Sequence, residues 1–474
     1  MQASILKKSI PPQKGTSMKR YGIWGLGVVG RSAIRFLHAQ GHTLSVYDAR
    51  PLTDEEESFL STYLVRIYAP HEQEAFFKDN DFLVPSPGIA LTQAQEYQQK
   101  MVHELTLFGP RWHKPLIAVT GSLGKTTLVT LLTSLLQAND LTVATGGNIG
   151  TAMLDLLPSQ DTVDYGLLEL SSFQLEFAHT FAPDLAIMTN LYANHLDRHG
   201  NLEAYFEAKA HIFKHQRPEQ KMLLPLNLAP QVRALTDRPC TYFSSEGPSP
   251  AMLHMLKEGD VLYTLEGTTL TRRRLNNGQL AITTLPIRSS LAQKGESLLR
   301  ETWLILLTVS DMLGILSSYA FTVPEFAPLE HRIEFVGSHE GKLFYNDSKS
   351  TIVEATRAAV ATLAPRPIHL ILGGISKGVD RAALIGLLKP YIAATVCFGK
   401  EAKELEAGCK KYGIPTSAHE TLQQAIKACV QQAKKDEVIL LSPSGASYDL
   451  YKDYQERGRH FKKLVKELSS DTDV

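Results

Sequence analysis

Residues 115–137 constrain the possible folds more than any other segment. An apolar run at 115–120, typical of a strand buried on both faces, leads into Gly121-Ser122-Leu123-Gly124-Lys125-Thr126-Thr127 and a helical stretch at 128–137. Strand, glycine loop, Gly-Lys-Thr and helix make a phosphate cradle, with backbone N–H groups and the Lys125 ammonium on the phosphates and the Thr126 hydroxyl on Mg2+. Val119 stands where the usual P-loop has its first glycine, so the spacing is a variant one. ATP is the expected ligand, and a turn of this form without a ligand is the alternative.

A second glycine turn lies nearer the N-terminus. A short apolar strand at 21–24 is followed by Gly25-Leu26-Gly27-Val28-Val29-Gly30, a helix at 31–40, a strand at Thr43–Tyr47, and Asp48. Glycines there let backbone approach a diphosphate at the positive end of a helix, and Asp48 can accept from a ribose hydroxyl. Taken alone, this pattern fits NAD, FAD, a UDP-sugar or a bare tight turn. A dehydrogenase reading rests on this turn only, and the second phosphate loop counts against it.

Further buried-strand patterns at 165–170, 185–189, 368–372, 394–398 and 438–441 alternate with helical ones such as 352–363 and 422–434. Such alternation predicts an α/β chain with mainly parallel sheets. At roughly 150 residues per domain, 474 residues suggest about three domains. Boundaries rich in Pro, Gly and Ser fall near 108–115 and 321–328. Residues 216–330 are the least legible, apart from a helix-like run at 298–316.

Composition narrows the function. With 43% hydrophobic and 21% charged residues the chain is expected to be folded, and 49 basic against 49 acidic residues give no electrostatic pull toward nucleic acid or membrane. The four cysteines, Cys240, Cys397, Cys409 and Cys429, form no CxxC pair and read as reduced thiols of a cytoplasmic protein. Residues 1–17 lack a signal-peptide core and read as a loose leader, and no apolar stretch is long enough to span a membrane.

Downstream of the cradle come Glu169 in LELSSFQLE, His195 in NHLDRHG and Lys209 in EAKAHIF. A carboxylate ending one strand and a histidine following another can converge on Mg2+; an ion-pair residue, a loop histidine and a solvated lysine are the plain alternatives. The last third carries His331-Arg332, Asn346-Asp347-Ser348-Lys349-Ser350-Thr351, Gly373-Gly374-Ile375-Ser376-Lys377-Gly378-Val379-Asp380, and Ser442 to Ser447 after a strand. Polar loops at the carboxyl ends of parallel strands are where such sheets bind ligands, although each can be an ordinary turn.

The ordered set GLGVVG, SPGIALT, TGSLGKTT, GGNIG, LELSSFQLE, NHLDRHG, EAKAHIF, HRIEFVG, NDSKST, LGGISKGVD and SPSGASYDLYKDYQERGRHF resembles the bacterial Mur ligases, over about 20–214 and 328–465. Within them it resembles the branch that adds D-glutamate, since LGG-x-x-KG-x-D and NDSK-x-T are present and the Asp-Asn-Pro-Arg signature of the diamino-acid branch is not. The resemblance implies a Rossmann-like UDP-substrate domain (18–110), a P-loop-type ATPase domain with a parallel sheet (111–328) and a C-terminal Rossmann-like amino-acid domain (329–474). The activity it implies is ATP-dependent joining of D-glutamate to UDP-N-acetylmuramoyl-L-alanine through an acyl phosphate, by a cytoplasmic monomer with no nucleic-acid partner.

Carried over residue by residue, Gly27, Val28, Val29, Asp48, Arg50, Ser86, Pro87, Gly88, Asn148 and His195 match UDP-substrate contacts. Gly121, Ser122, Gly124, Lys125, Thr126, Thr127 and Arg332 match the ATP site. Thr126, Glu169, His195 and Lys209 match the ligands of two Mg2+ ions, with Lys209 carrying a CO2-derived carbamate, and His195 is also a candidate base. Lys349, Thr351, Lys377, Ser447, Tyr448 and Tyr454 match the D-glutamate site, where two lysines suit two carboxylates. The chain departs from the family at Leu123, where Asn is usual, and at Leu298 and Glu301, where two asparagines help hold the nucleotide. Looser selection for adenine is therefore expected. The rival readings are another Mur-type or folylpolyglutamate-type ligase, and a lapsed homologue that only binds.

Overall fold

The computed structural model describes residues 17–288, 300–317, 321–324, 330–376 and 379–470. The leader up to residue 16, the run 295–299 with Leu298, and Lys377 lie outside the described residues. The chain clusters into two compact units: 1–191 with 206–326, and 192–205 with 327–474.

The first unit holds two sheets. Four parallel strands lie in the order Arg66–Tyr68, Thr43–Tyr47, Arg20–Trp24, Phe82–Pro85. The strand order reverses beside Arg20–Trp24, and the first glycine turn leaves the end of that strand. Such a switch point opens a crevice for ligands.

The larger sheet has nine strands, ordered Gln279–Pro286, Thr269–Asn276, Val261–Glu266, Thr241–Ser244, Lys221–Pro225, Leu185–Met188, Leu116–Thr120, Tyr165–Glu169, Val143–Gly147. Leu116–Thr120 is buried at every position because both of its neighbours are parallel and both faces are covered. Its side chains alternate between two cores: Leu116 and Ala118 pack with Met188 and Phe213, while Ile117 and Val119 pack with Leu128 and Leu132 of the following helix. That helix, Lys125–Gln137, starts three residues before the apolar pattern suggested. Gly124, at φ +78°, caps it in a left-handed conformation that glycine adopts without strain. The helix after the first turn likewise begins at Val28 rather than 31.

The poorly legible stretch contains a meander. Val261–Glu266, Thr269–Asn276 and Gln279–Pro286 pair antiparallel, and the second connection is the two-residue Asn277-Gly278, both at positive φ. This is the preferred two-residue hairpin turn, a sequence signal the periodicity reading passed over. Helix Arg300–Met312 buries Trp303, Leu304 and Leu307 against this sheet's core; each such side chain contributes about 1.5–3 kcal/mol.

The second unit carries six strands, ordered Glu334–His339, Lys342–Asn346, Val438–Leu441, Ile368–Gly373, Ile392–Phe398, Thr416–His419. Only the first pair is antiparallel. Period-two alternation again divides the strands between two cores, Leu370 and Leu440 on one face and Ile371 and Leu441 on the other.

Candidate functional site

The site that the structure builds most fully surrounds the second glycine turn. Leu116–Thr120 ends between Tyr165–Glu169 and Leu185–Met188, so the loop from Gly121 emerges among residues that follow both neighbours. The Ser122 N–H donates to the Asn190 carbonyl at 3.1 Å and the Leu123 N–H to Asn190 Oδ1 at 2.9 Å. Thr189 Oγ1 donates to the Leu123 carbonyl at 2.6 Å. Thr189 and Asn190 thus brace the loop, a role that sequence reasoning missed. Gly121 has φ +144°, and a Cβ there would stand 1.9 Å from Thr189 Oγ1, so the close approach requires glycine.

Three ionisable side chains meet behind the loop. Lys125 Nζ donates to the carbonyls of Gly121 at 2.7 Å and Ser122 at 3.3 Å. Lys209, on helix Leu202–Lys214, is fully buried and reaches the Gly121 carbonyl at 3.0 Å and Thr120 Oγ1 at 3.4 Å. Burial first, and then the charge of Lys125, holds the Lys209 amine well below its ordinary range, with Glu169 pulling the other way. Glu169 is buried; its Oε1 accepts from Asn148 Nδ2 at 2.8 Å, while its Oε2 has no protein partner. A buried carboxylate oxygen without a donor is costly unless something cationic meets it, and oxygen donors suit Mg2+. This residue set fits such an ion. Asn148, expected at the UDP-substrate, is held against Glu169 as well by its backbone, whose N–H donates to the Glu169 carbonyl at 2.8 Å. Thr126 and Thr127 lie half-buried in the first turn of the helix.

The first glycine turn is braced in another way. Asp48 Oδ2 accepts from the Leu26 N–H at 2.9 Å and Oδ1 from the Arg50 N–H at 3.1 Å. Ser86 Oγ donates to the Gly25 carbonyl at 3.0 Å. Gly27, Val28 and Gly88 are exposed, with Val29 and Pro87 half-buried beside them. Arg50 makes a two-pronged pair with Glu56 at 2.7 and 2.8 Å, which holds the Glu56 carboxyl down to about 2. The structure therefore gathers Asp48, Arg50 and Ser86 around this turn, and Lys125, Glu169, Lys209 and Asn148 around the other. Glu301 is on helix Arg300–Met312, where burial pushes its carboxyl up to about 7.

In the second unit, His195 caps helix Leu196–His199 in a left-handed conformation, with its ring 6.5 Å from that of Tyr205. The carboxyl ends of the six-stranded sheet form a polar cluster. Asp347 is buried and accepts from Ser442 Oγ at 2.7 Å; burial lifts its carboxyl to about 6, against hydrogen bonds from Ser350 and Ser442 and the charge of Arg332. Arg457, fully buried, donates to Ser348 Oγ at 3.0 Å, the Ser348 carbonyl at 2.8 Å and the Gly445 carbonyl at 3.1 Å, and burial brings it down to about 10. Arg381 donates to the Gly373 and Gly374 carbonyls at 3.0 and 3.2 Å. These two arginines tie the loops together, and sequence reasoning gave neither a role although Arg457 lies in a quoted motif. Lys349 Nζ stands 4.8 Å from the centre of the Tyr454 ring, Ser447 is buried, Tyr448 is 74% exposed and Thr351 is half-buried.

Three family models match along the chain: the Mur ligase MurD-like N-terminal domain at 19–108, the Mur ligase middle domain at 119–286, and the Mur ligase, glutamate ligase domain at 331–445. The UDP-N-acetylmuramoylalanine–D-glutamate ligase of Koribacter versatilis is 32% identical over 465 residues, covering 95% of this chain and 98% of the relative. The ligase of that name from Pseudoalteromonas translucida is 33% identical over 460 residues, covering 94% and 97%. Among solved structures, a pseudomurein peptide ligase type C from Methanothermus fervidus aligns with a TM-score of 0.55 at 15% identity, covering 95% of this chain and all of that one. The MurF ligase of Thermotoga maritima in complex with ADP aligns at 0.54 and 16% identity, covering 85% and 93%. The structural matches share the three-domain α/β fold, and the family models and the relatives in sequence establish that this chain belongs to the Mur ligase family.

Proposed function

We propose that this chain is an ATP-dependent ligase that joins D-glutamate to UDP-N-acetylmuramoyl-L-alanine in the cytoplasmic synthesis of peptidoglycan precursors. The names of its relatives support this, and one observation carries it physically: Lys209 and Glu169, both buried, lie with Lys125 at a glycine loop. A turn with no ligand has no use for two buried ionisable groups, whose desolvation costs several kcal/mol.

A carboxylate is a poor acyl donor at neutral pH. An oxygen of the alanyl carboxylate attacks the γ-phosphorus of ATP, the bond to ADP breaks, and an acyl phosphate forms. The amine of D-glutamate then attacks the acyl carbon, loses a proton and expels phosphate. In this reading, the N–H groups of Gly121 to Gly124 and the Lys125 ammonium hold the phosphates, and Lys125 and Arg332 offset charge on the transferring phosphoryl group. Asp48, Arg50 and Ser86 hold the UDP moiety, and Lys349, Thr351, Lys377, Ser447, Tyr448 and Tyr454 the D-glutamate. His195 takes the amine proton.

Mg2+, when bound, supplies positive charge to the phosphoryl oxygens; Thr126, Glu169, His195 and a carbamate on Lys209 would hold two such ions. The buried Lys209 amine suits carbamate formation, because only a neutral amine adds CO2, forming an N–C bond and releasing a proton. An anion beside Mg2+ then replaces an amine. The assignment of 18–110, 111–328 and 329–474 to UDP-substrate, ATP and amino acid belongs to the same proposal, as does action as a monomer. Among the described residues no helix is long and apolar enough to cross a membrane.

The test is phosphate release from ATP and UDP-N-acetylmuramoyl-L-alanine with a panel of D- and L-amino acids. Release with D-glutamate alone is expected. Turnover with another acceptor points to a different ligase of the family, and no turnover with any acceptor points to a binding protein.

A further inference from the structure

Away from the glycine loops, three histidines converge on one face of the first unit. His211 is on helix Leu202–Lys214 and His215 follows it by one turn, so both project to the same side. His179 comes from the exposed turn after the short helix Ser172–Leu175. One ring nitrogen from each lies within 4.8 Å of the others, and the His179 and His211 rings meet edge to face at 5.1 Å. The other cluster of this kind among the described residues, Glu330, His331 and Glu334, already has a cation: Lys462 pairs with Glu330 at 2.8 Å and Glu334 at 2.6 Å.

We propose that His179, His211 and His215 form a binding site for a first-row transition-metal ion of the zinc class, distinct from the Mg2+ site at the glycine loop. Three points carry this. An ion about 2.0–2.1 Å from each nitrogen, in tetrahedral geometry, sets the nitrogens about 3.4 Å apart, and side-chain rotation of His179 and His215 about the fixed His211 ring supplies the remaining closure. The His211 orientation is already fixed, since its Nδ1 lies 2.8 Å from the Leu175 carbonyl, which can only accept. Nδ1 therefore carries the proton and Nε2 keeps the lone pair, as ligating histidines held by a backbone carbonyl do. Imidazole also selects zinc, copper and nickel over Mg2+, which prefers oxygen. Three protein nitrogens leave a fourth position for water. The ion would tie the helix bearing Lys209 to the segment that follows Glu169, joining two parts of the candidate site from outside it.

The test uses the untagged full-length chain, stripped with chelator and titrated with Zn2+ in excess Mg2+. One equivalent is expected to bind with a Kd tighter than about 1 µM, and Co2+ in its place should give the visible absorption of a tetrahedral site. His179→Gln and His215→Gln should each weaken binding at least about tenfold while far-UV circular dichroism is unchanged. His179 is on a surface turn, so its variant decides the matter if His215→Gln does not fold. Absence of zinc uptake, uptake displaced by Mg2+, or uptake unchanged in His179→Gln overturns the proposal.

Discussion

Two glycine turns in the first unit use the same backbone device for different electrostatic ends. Each follows a central parallel strand and opens a helix, and each depends on close backbone approach: a Cβ on Gly30 would stand 2.2 Å from the Gly25 carbonyl oxygen, and one on Gly121 1.9 Å from Thr189 Oγ1. At the first turn the nearby carboxylates are satisfied. Asp48 accepts two backbone N–H groups and Glu56 is paired with Arg50. At the second, Glu169 keeps a buried oxygen without a protein partner and Lys209 is buried with Lys125 close by. Glycine spacing makes a place for phosphate, and buried charge behind it decides whether chemistry can follow. On the proposed function, the first turn holds substrate and the second serves the reaction.

The largest expected effect breaks the second turn alone. Lys125→Ala should lower ligation about a thousandfold or more, roughly 4 kcal/mol of transition-state stabilisation. Affinity for the UDP-substrate, measured by calorimetry, should stay near wild type because the first turn is untouched. An equal loss of both would merge the two roles.

A second expectation concerns Glu104, a buried carboxyl in the first turn of helix Glu104–Phe108. Its Oε1 accepts from the Met153 N–H at 3.0 Å and burial pushes it up to about 7. Because the folded pKa is raised, the unfolded chain ionises first as pH rises above about 4.5, so stability is full at low pH and declines as pH passes through about 7. Glu104→Gln should remove that decline, a relative gain on the order of 3 kcal/mol above neutrality. Melting temperatures between about pH 5 and 8 check this; parallel pH curves for the two proteins would contradict it.

The smallest expected effect belongs to the first turn. Asp48→Asn keeps the shape but weakens acceptance from Leu26 and Arg50, so KM for the UDP-substrate should rise roughly tenfold, about 1.4 kcal/mol, with kcat little changed. A fall in kcat at unchanged KM would give the first turn a part in the chemistry.

The sequence made the loops legible because glycine spacing and buried-strand runs are local signals. The bracing of those loops was not legible. Thr189 and Asn190 reach the loop from the end of another strand, and Arg457 reaches Ser348 from 109 positions away, so no short window of sequence contains both partners. Nor could spacing show that Lys209 is wholly buried, which is the property that gives it a chemical meaning. The meander at 261–286 was missed for a different reason: its edge strand Gln279–Pro286 is mostly exposed and lacks a clean apolar face, leaving Asn277-Gly278 as the useful signal.

We propose that the buried Lys209 serves the second turn as an anion. The most direct test is chemical rescue. An anion about 4 Å from a cation gains about 4 kcal/mol per unit-charge pair at an effective dielectric near 20, a term that an uncharged amine lacks and an ammonium would reverse. Lys209→Ala should lose most activity, and added formate or acetate should restore part of it by placing a small carboxylate in the vacated space. Near-normal turnover by Lys209→Arg, or an alanine variant indifferent to both anions, would contradict an anionic Lys209.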